Sequence, residues 1–298
     1  MGTAICGRCG AWVNDRAWRC RSCGRFLPGA FGQRRLLDRA FNPARAHARV
    51  LLVALVVLYF FELFLSSVTG FGRPGGEMHI DPAPIGEVRA GALLPWDEEH
   101  ARVLLAEGLG VRGQNAVGKS TSEEPWRLGS AMLLHGGVVH ILCNGLSLLS
   151  LGAFVEAVFG PARFWTIFTL TGLAGNVGML VFGDPYVFGL GASGGIFGLF
   201  GAILGWSMRR GGTFGLEVRR QLLRSLILNV VISLLPHVSF SAHACGFVSG
   251  FLMTWALQIP DVRSGRESDR ARFVGLFCVA LLVVSAVLAF VSAARWGR

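Results

Sequence analysis

The chain has 298 residues, 52% of them hydrophobic and only 15% charged, with a formal net charge of +10. Soluble domains carry roughly 25% charged residues, so this composition excludes an ordinary soluble enzyme and points to a polytopic membrane protein. Lys119 is the sole lysine among 28 basic residues, which reads as a genomic bias rather than a nucleic-acid signature.

The N-terminus carries two CxxC pairs, Cys6 with Cys9 and Cys20 with Cys23. Gly10 and Gly24 follow them and let the backbone turn its amides toward the sulfurs. Four thiolates at this spacing suit tetrahedral Zn²⁺ with no open coordination position, a structural site rather than a catalytic one. Disulfides are the alternative, disfavoured in the reducing cytoplasm where this segment is expected to lie. Trp12 and Trp18 are read as cover for a small core. The segment is rich in Cys and Arg rather than apolar, so no cleaved signal peptide is expected. Residues 1–27 are therefore assigned to a cytoplasmic zinc ribbon. Residues 28–49, basic and broken by Pro28 and Pro43, are assigned to a juxtamembrane linker. Cys143, Cys245 and Cys278 lie in apolar stretches and read as small core residues.

A bilayer crossing needs about 20 apolar residues. Runs of this kind cover 50–68, 140–159, 164–182, 191–208, 222–236, 242–259 and 273–293, the fourth and fifth being short. They predict an all-α bundle of about seven transmembrane helices. Placing the N-terminus inside puts 31–49, 160–163, 209–221 and 260–272 on the inner side, and each of these carries arginine. The outer connections 183–190 and 237–241 carry no Lys or Arg, and the long outer loop 69–139 has more acidic than basic residues. This is the positive-inside pattern. The basic balance is thus explained by topology and attraction to anionic lipid headgroups, and no nucleic-acid partner is expected.

Within the outer loop, GQNAVGKS at 113–120 matches a phosphate-binding loop pattern. That mechanism requires a buried strand before the loop and a helix after it. LAEGLGVR precedes it and Pro125 soon follows, so nucleotide binding is not expected.

Hydrogen-bonding residues inside membrane spans are functional candidates. The second span opens HGGVVHILCNGL, with His140 and Asn144 four residues apart on one helical face. The fourth opens GASGG, with Ser193, and the sixth opens SAHACG, with His243. All three spans run in the same direction, so the four polar residues share one depth near the outer surface. Gly194 and Gly198, Gly201 and Gly205, and Gly246 and Gly250 form small-xxx-small faces that allow close helix approach. Such an approach would bring the Ser193 hydroxyl to the base it needs as a nucleophile. Amides at the start of the fourth span, with Asn144 and His140, would then stabilise an oxyanion. Tight packing without chemistry is the competing reading.

These residues resemble the rhomboid family of intramembrane serine proteases. Gly191-Ala192-Ser193-Gly194 resembles its GxSG motif, and His243 with Gly246 and Gly250 resembles its A-H-x-x-G-x-x-x-G helix. His140-x3-Asn144, Glu124-Pro125-Trp126-Arg127 and Gly152-x3-Glu156-x3-Gly160 resemble three further family motifs. The resemblance implies a six-helix catalytic core over 50–259, with a cytoplasmic loop and seventh helix over 260–298. It implies Ser193 as nucleophile and His243 as general base, without an acidic third member, so Asp184 is not recruited. His140, Asn144 and the Ser193 amide would form the oxyanion hole, with Gly191 and Gly194 keeping the backbone open. Phe197 would pack on His243, and Trp126 and Arg127 would anchor the first loop in the outer leaflet. No cofactor for catalysis is implied. Glu62, inside the first span, is expected to be interfacial or paired to a helix.

The expected function is endopeptidase cleavage of transmembrane substrate proteins in the lipid bilayer near the outer face of a bacterial plasma membrane. A non-catalytic rhomboid-like protein that binds membrane clients is the alternative, disfavoured because Ser193 and His243 are both present. A channel or transporter would show charged pathway residues near mid-membrane, and few are seen. The zinc ribbon is expected to recruit a cytoplasmic protein partner or to regulate the enzyme.

Overall fold

The computed structural model describes residues 3–5, 11–14, 20–23, 46–68, 87–88, 90–105, 120–234, 238–255 and 268–295. Cys6, Cys9 and most of the GQNAVGKS segment therefore lie outside the described residues, as do most of the linker 28–49 and Pro236. Near the N-terminus, β1 (Thr3–Ile5) pairs antiparallel with β2 (Trp12–Asn14), Ile5 facing Trp12.

The other regular elements among the described residues are helices, apart from an isolated bridge between Leu93 and Gly189. The first long helix, α1, runs Ala46–Val68. Two short helices follow in the connecting loop, α2 (Glu98–Val103) and α3 (Arg127–Ser130). The remaining helices are α4 (Val138–Phe159), α5 (Pro161–Phe182), α6 (Ser193–Arg210), α7 (Gly212–Ile232), α8 (Phe240–Trp255) and α9 (Asp269–Arg295). α4 widens to a π-turn at Leu148–Gly152. Segments of α1, α4, α5 and α9 are long and apolar enough to cross a membrane by length and composition. α6, α7 and α8 coincide in order with the other three expected spans but are shorter or more polar.

α6 is the centre of the bundle. Every residue from Gly194 to Ser207 except Leu204 is buried. It packs between α5 and α8, and its contact with α8 is the most extensive between any two described helices. The glycines set this proximity. A methyl added to Gly246 would land on the Gly194 carbonyl, and one on Gly250 would land on the Gly198 carbonyl. The two backbones touch because neither helix has a side chain there, the geometry that small-residue faces permit. Thr254 Oγ1 donates to the Ala202 carbonyl at 2.9 Å, and Arg209 Nη1 donates to the Thr254 carbonyl, closing the far end of the pair. The apolar core lies beside this pair, where Leu51, Leu148, Phe164, Phe168, Phe200 and Ile203 meet.

Helices reach into the expected connections at 46–49, 161–163, 212–221 and 269–272, the third being the longest such extension. That inner connection was expected over 209–221, but the chain turns at Gly211 and Gly212 and α7 is already under way. Both glycines have positive φ, +61° and +63°, which side chains rarely adopt. Arg219 and Arg220 therefore belong to a helix. An apolar-run reading sees only the lipid-compatible part of a helix, whereas helical backbone bonding continues through polar residues.

Candidate active site

The fold brings the starts of α4, α6 and α8 to one end of the bundle. Ser193 is the first residue of α6, and His243 lies in the first turn of α8. Ser239 opens that turn by accepting the Ala242 amide on its hydroxyl, 3.2 Å. The interlocked glycines hold the two helix starts together, and Ser193 Oγ lies 2.7 Å from His243 Nε2. The Phe197 ring, one turn into α6, stacks on the imidazole, with centroids 4.2 Å apart and planes 11° from parallel. On the opposite edge of the imidazole, Nδ1 lies 2.6 Å from the hydroxyl of Ser233, a buried residue at the end of α7. Sequence reasoning missed Ser233. Asp184 is exposed in the α5–α6 connection, where its carboxylate accepts the Tyr186 amide.

In front of Ser193, Gly191 has φ +124° and donates its amide to the Ala131 carbonyl at 2.8 Å. The Gly191 amide is thus used in the fold, and its contribution to the site is space. The point where its Cβ would stand lies 2.9 Å from His140 Nε2 and 3.7 Å from Ser193 Oγ. The narrow space in front of Gly191, too tight for a methyl group, thus lies between the hydroxyl and an imidazole nitrogen. Asn144, one turn below His140 on α4, is buried, and its Nδ2 has no hydrogen-bond partner among the described residues. As the first helical residue, Ser193 also has an amide with no acceptor one turn back. Gly194 serves the helix contact, its carbonyl lying against Gly246.

Residues 122–259 match the Rhomboid domain. The putative rhomboid protease YdcA of Bacillus subtilis (strain 168) is 34% identical over 133 residues, which cover 44% of this chain and 67% of that protein. The chain belongs to the rhomboid family. Rhomboid protease GluP of the same organism is 34% identical over 55% of this chain and 31% of its own length. RHOMBOID-like protein 5 of Arabidopsis thaliana is 35% identical over 45% of this chain and 44% of its own. The chain thus spans less than half the length of these last two relatives. Rhomboid membership together with four helices of membrane-crossing length makes this an integral membrane protein.

Around the site, the rhomboid chain is braced by its first loop. Arg127, expected to anchor the first loop, is fully buried. Its Nε donates to Glu124 at 2.7 Å, and its Nη1 donates to the carbonyls of Val88 and Ala92 at 2.9 and 2.8 Å. A guanidinium so engaged ties the loop to itself and cannot reach headgroups. Trp126 is half-buried, and the Arg127 guanidinium lies 4.9 Å from the centre of its ring. The loop is pinned to the Ser193 segment through a two-way bridge between Leu93 and Gly189, with bonds of 2.7 and 2.8 Å. Glu62 is fully buried and accepts the His135 amide at 3.1 Å. Burial, with His140 alongside, pushes the His135 ring down to about 3, so it is neutral. At the other end of the bundle, Glu156 accepts the amides of His47 and Ala48 at the start of α1, 3.3 and 2.6 Å. Carboxylates at a helix N-terminus satisfy amides that lack intrahelical partners.

Proposed function

We propose that this chain is an intramembrane serine protease that cleaves peptide bonds in or beside transmembrane helices of substrate proteins. The contact of 2.7 Å between Ser193 Oγ and His243 Nε2 carries the reading. Ser193 Oγ attacks the scissile carbonyl carbon while its proton passes to His243 Nε2. The developing oxyanion is stabilised beside Gly191 by His140 Nε2, the Asn144 side-chain amide and the Ser193 backbone amide, a role supported by the closeness of His140 to Gly191 and by the unpartnered Asn144 Nδ2. Collapse breaks the C–N bond, and the Nε2 proton goes to the leaving amine. Water then attacks the acyl-enzyme, giving up a proton to His243, and as the ester C–O bond breaks that proton passes to Ser193 Oγ and the carboxyl product leaves. Cleavage falls near the outer face of a bacterial plasma membrane, with the N-terminus cytoplasmic, supported by the arginine-rich connections on the opposite side.

The test is reconstitution with a model transmembrane substrate. Wild type is expected to cleave it and to label with a serine-directed fluorophosphonate. Ser193→Ala and His243→Ala are expected to do neither, and undiminished cleavage in both variants would refute the dyad. A wild type that neither cleaves nor labels would leave a client-binding role.

A structural Zn²⁺ held by Cys6, Cys9, Cys20 and Cys23 is proposed for the N-terminal segment, as a platform for a cytoplasmic partner. Two observations support the fit. The pairing of β1 with β2 puts the first CxxC between them in sequence, and Cys20, which opens the second, is buried. One zinc per chain by elemental measurement, lost in Cys20→Ser, is the expected result.

A further inference from the structure

We propose that Ser233 is a positioning residue that fixes the tautomer and ring orientation of His243, so that the nitrogen facing Ser193 is the one free to take a proton. The inference rests on the Ser193–His243 reading. Ser233 closes α7, where Oγ donates to the Asn229 carbonyl at 2.7 Å. A carbonyl can only accept, so the single hydroxyl proton of Ser233 is committed there. The remaining contact of that oxygen is His243 Nδ1 at 2.6 Å. Both contacts are satisfied together only when Nδ1 carries the imidazole proton. Nε2 then presents its lone pair to Ser193 Oγ at 2.7 Å. The result is a directional chain in which Ser193 O–H donates to Nε2, Nδ1–H donates to Ser233 Oγ, and Ser233 O–H donates to the Asn229 carbonyl.

The same contact bears on the charged form. When Nε2 takes the Ser193 proton, the ring becomes cationic, and the Ser233 oxygen is its nearest acceptor on the Nδ1 side. Ser233 is also the C-terminal cap of α7, and a helix C-terminus carries partial negative charge. In triad proteases a carboxylate holds Nδ1–H and steadies the imidazolium. Here a hydroxyl backed by a helix end occupies that position, while Phe197 covers the ring face. Ser233 touches no reacting atom and acts only through His243.

The experiment uses the full chain in detergent micelles, with ¹⁵N-labelled histidine and a fluorophosphonate probe. The His243 ring signals are assigned by their loss in His243→Ala. Wild type is expected to show an unprotonated Nε2. In Ser233→Ala, a share of the population should move to the Nε2–H form, and the labelling rate of Ser193 should fall roughly five- to tenfold. For a transmembrane substrate, kcat should fall with KM unchanged. Ser233→Thr keeps the hydroxyl and should restore both the ring signal and the rate. If Ser233→Ala lowers the melting temperature, Ser233→Thr carries the decision: a slow threonine variant of normal stability overturns the proposal. A Ser233→Ala protein with wild-type labelling rate and unchanged His243 signals overturns it as well. Ser193→Ala separates the two readings. Labelling that survives in Ser193→Ala removes the dyad itself, whereas labelling lost there but unchanged in Ser233→Ala removes only the role of Ser233.

Discussion

α6 and α7 meet His243 from different sides and are held in different ways. α6 is buried along nearly its whole length and touches α8 backbone to backbone. In α7, only Gly215 and Leu222 are buried. The Ser193–His243 distance therefore depends on a rigid contact with no side chains to rearrange. The Ser233–His243 contact depends on a helix whose outer surface meets little protein. Rigid elements hold reacting groups in register, and weakly packed ones open locally at lower free energy. The nucleophile and base are thus set by the most extensive contact among the described helices, and the support behind the base by a helix with few buried residues.

Substitutions can break this contrast at graded strength. The largest effect is expected from Gly246→Leu, which forces a side chain onto the Gly194 carbonyl. Overpacking of this kind costs roughly 1–3 kcal/mol or more, so melting temperature in detergent should fall and fluorophosphonate labelling should vanish. A variant that labels normally would show that the glycine contact does not hold the dyad. Phe197→Ala comes next. Loss of an aromatic stack of about 0.5–1.5 kcal/mol should slow labelling up to about tenfold, and Phe197→Tyr, which keeps the ring, should label near the wild-type rate. Ser292→Ala removes the 2.9 Å bond from α9 to Glu124, far from either contact. It should cost about 1 kcal/mol in thermal unfolding, with activity retained. The smallest effect is expected from Leu228→Ala on the outer face of α7, where the side chain is 61% exposed. Stability should stay within about 0.5 kcal/mol of wild type, with an unchanged labelling rate. A large loss there would mean that α7 is held more tightly than its surface implies.

The helical class and the order of the long helices were readable from apolar runs, because a bilayer imposes length rules on single segments. The shared end for His140, Asn144, Ser193 and His243 followed from chain direction. The small-xxx-small spacing marked which faces could approach. Other features were hidden because they depend on how the chain folds back. The resemblance implied that Arg127 anchors the first loop, but not its acceptors at Glu124, Val88 and Ala92, two of them far away in sequence. Ser233 is one hydroxyl within the short apolar run 222–236. Nothing local indicates that the turn after α7 returns its last residue to His243.

By itself the sequence determined which residues could do chemistry and at which end of the bundle they would lie, since helix direction and periodicity are properties of single segments. The tertiary structure alone decided which of them touch. Contacts such as Ser193 with His243, Ser233 with His243 and Gly246 with Gly194 are set by the packing of separate helices to within a few tenths of an ångström, and a hydrogen bond exists only at that precision.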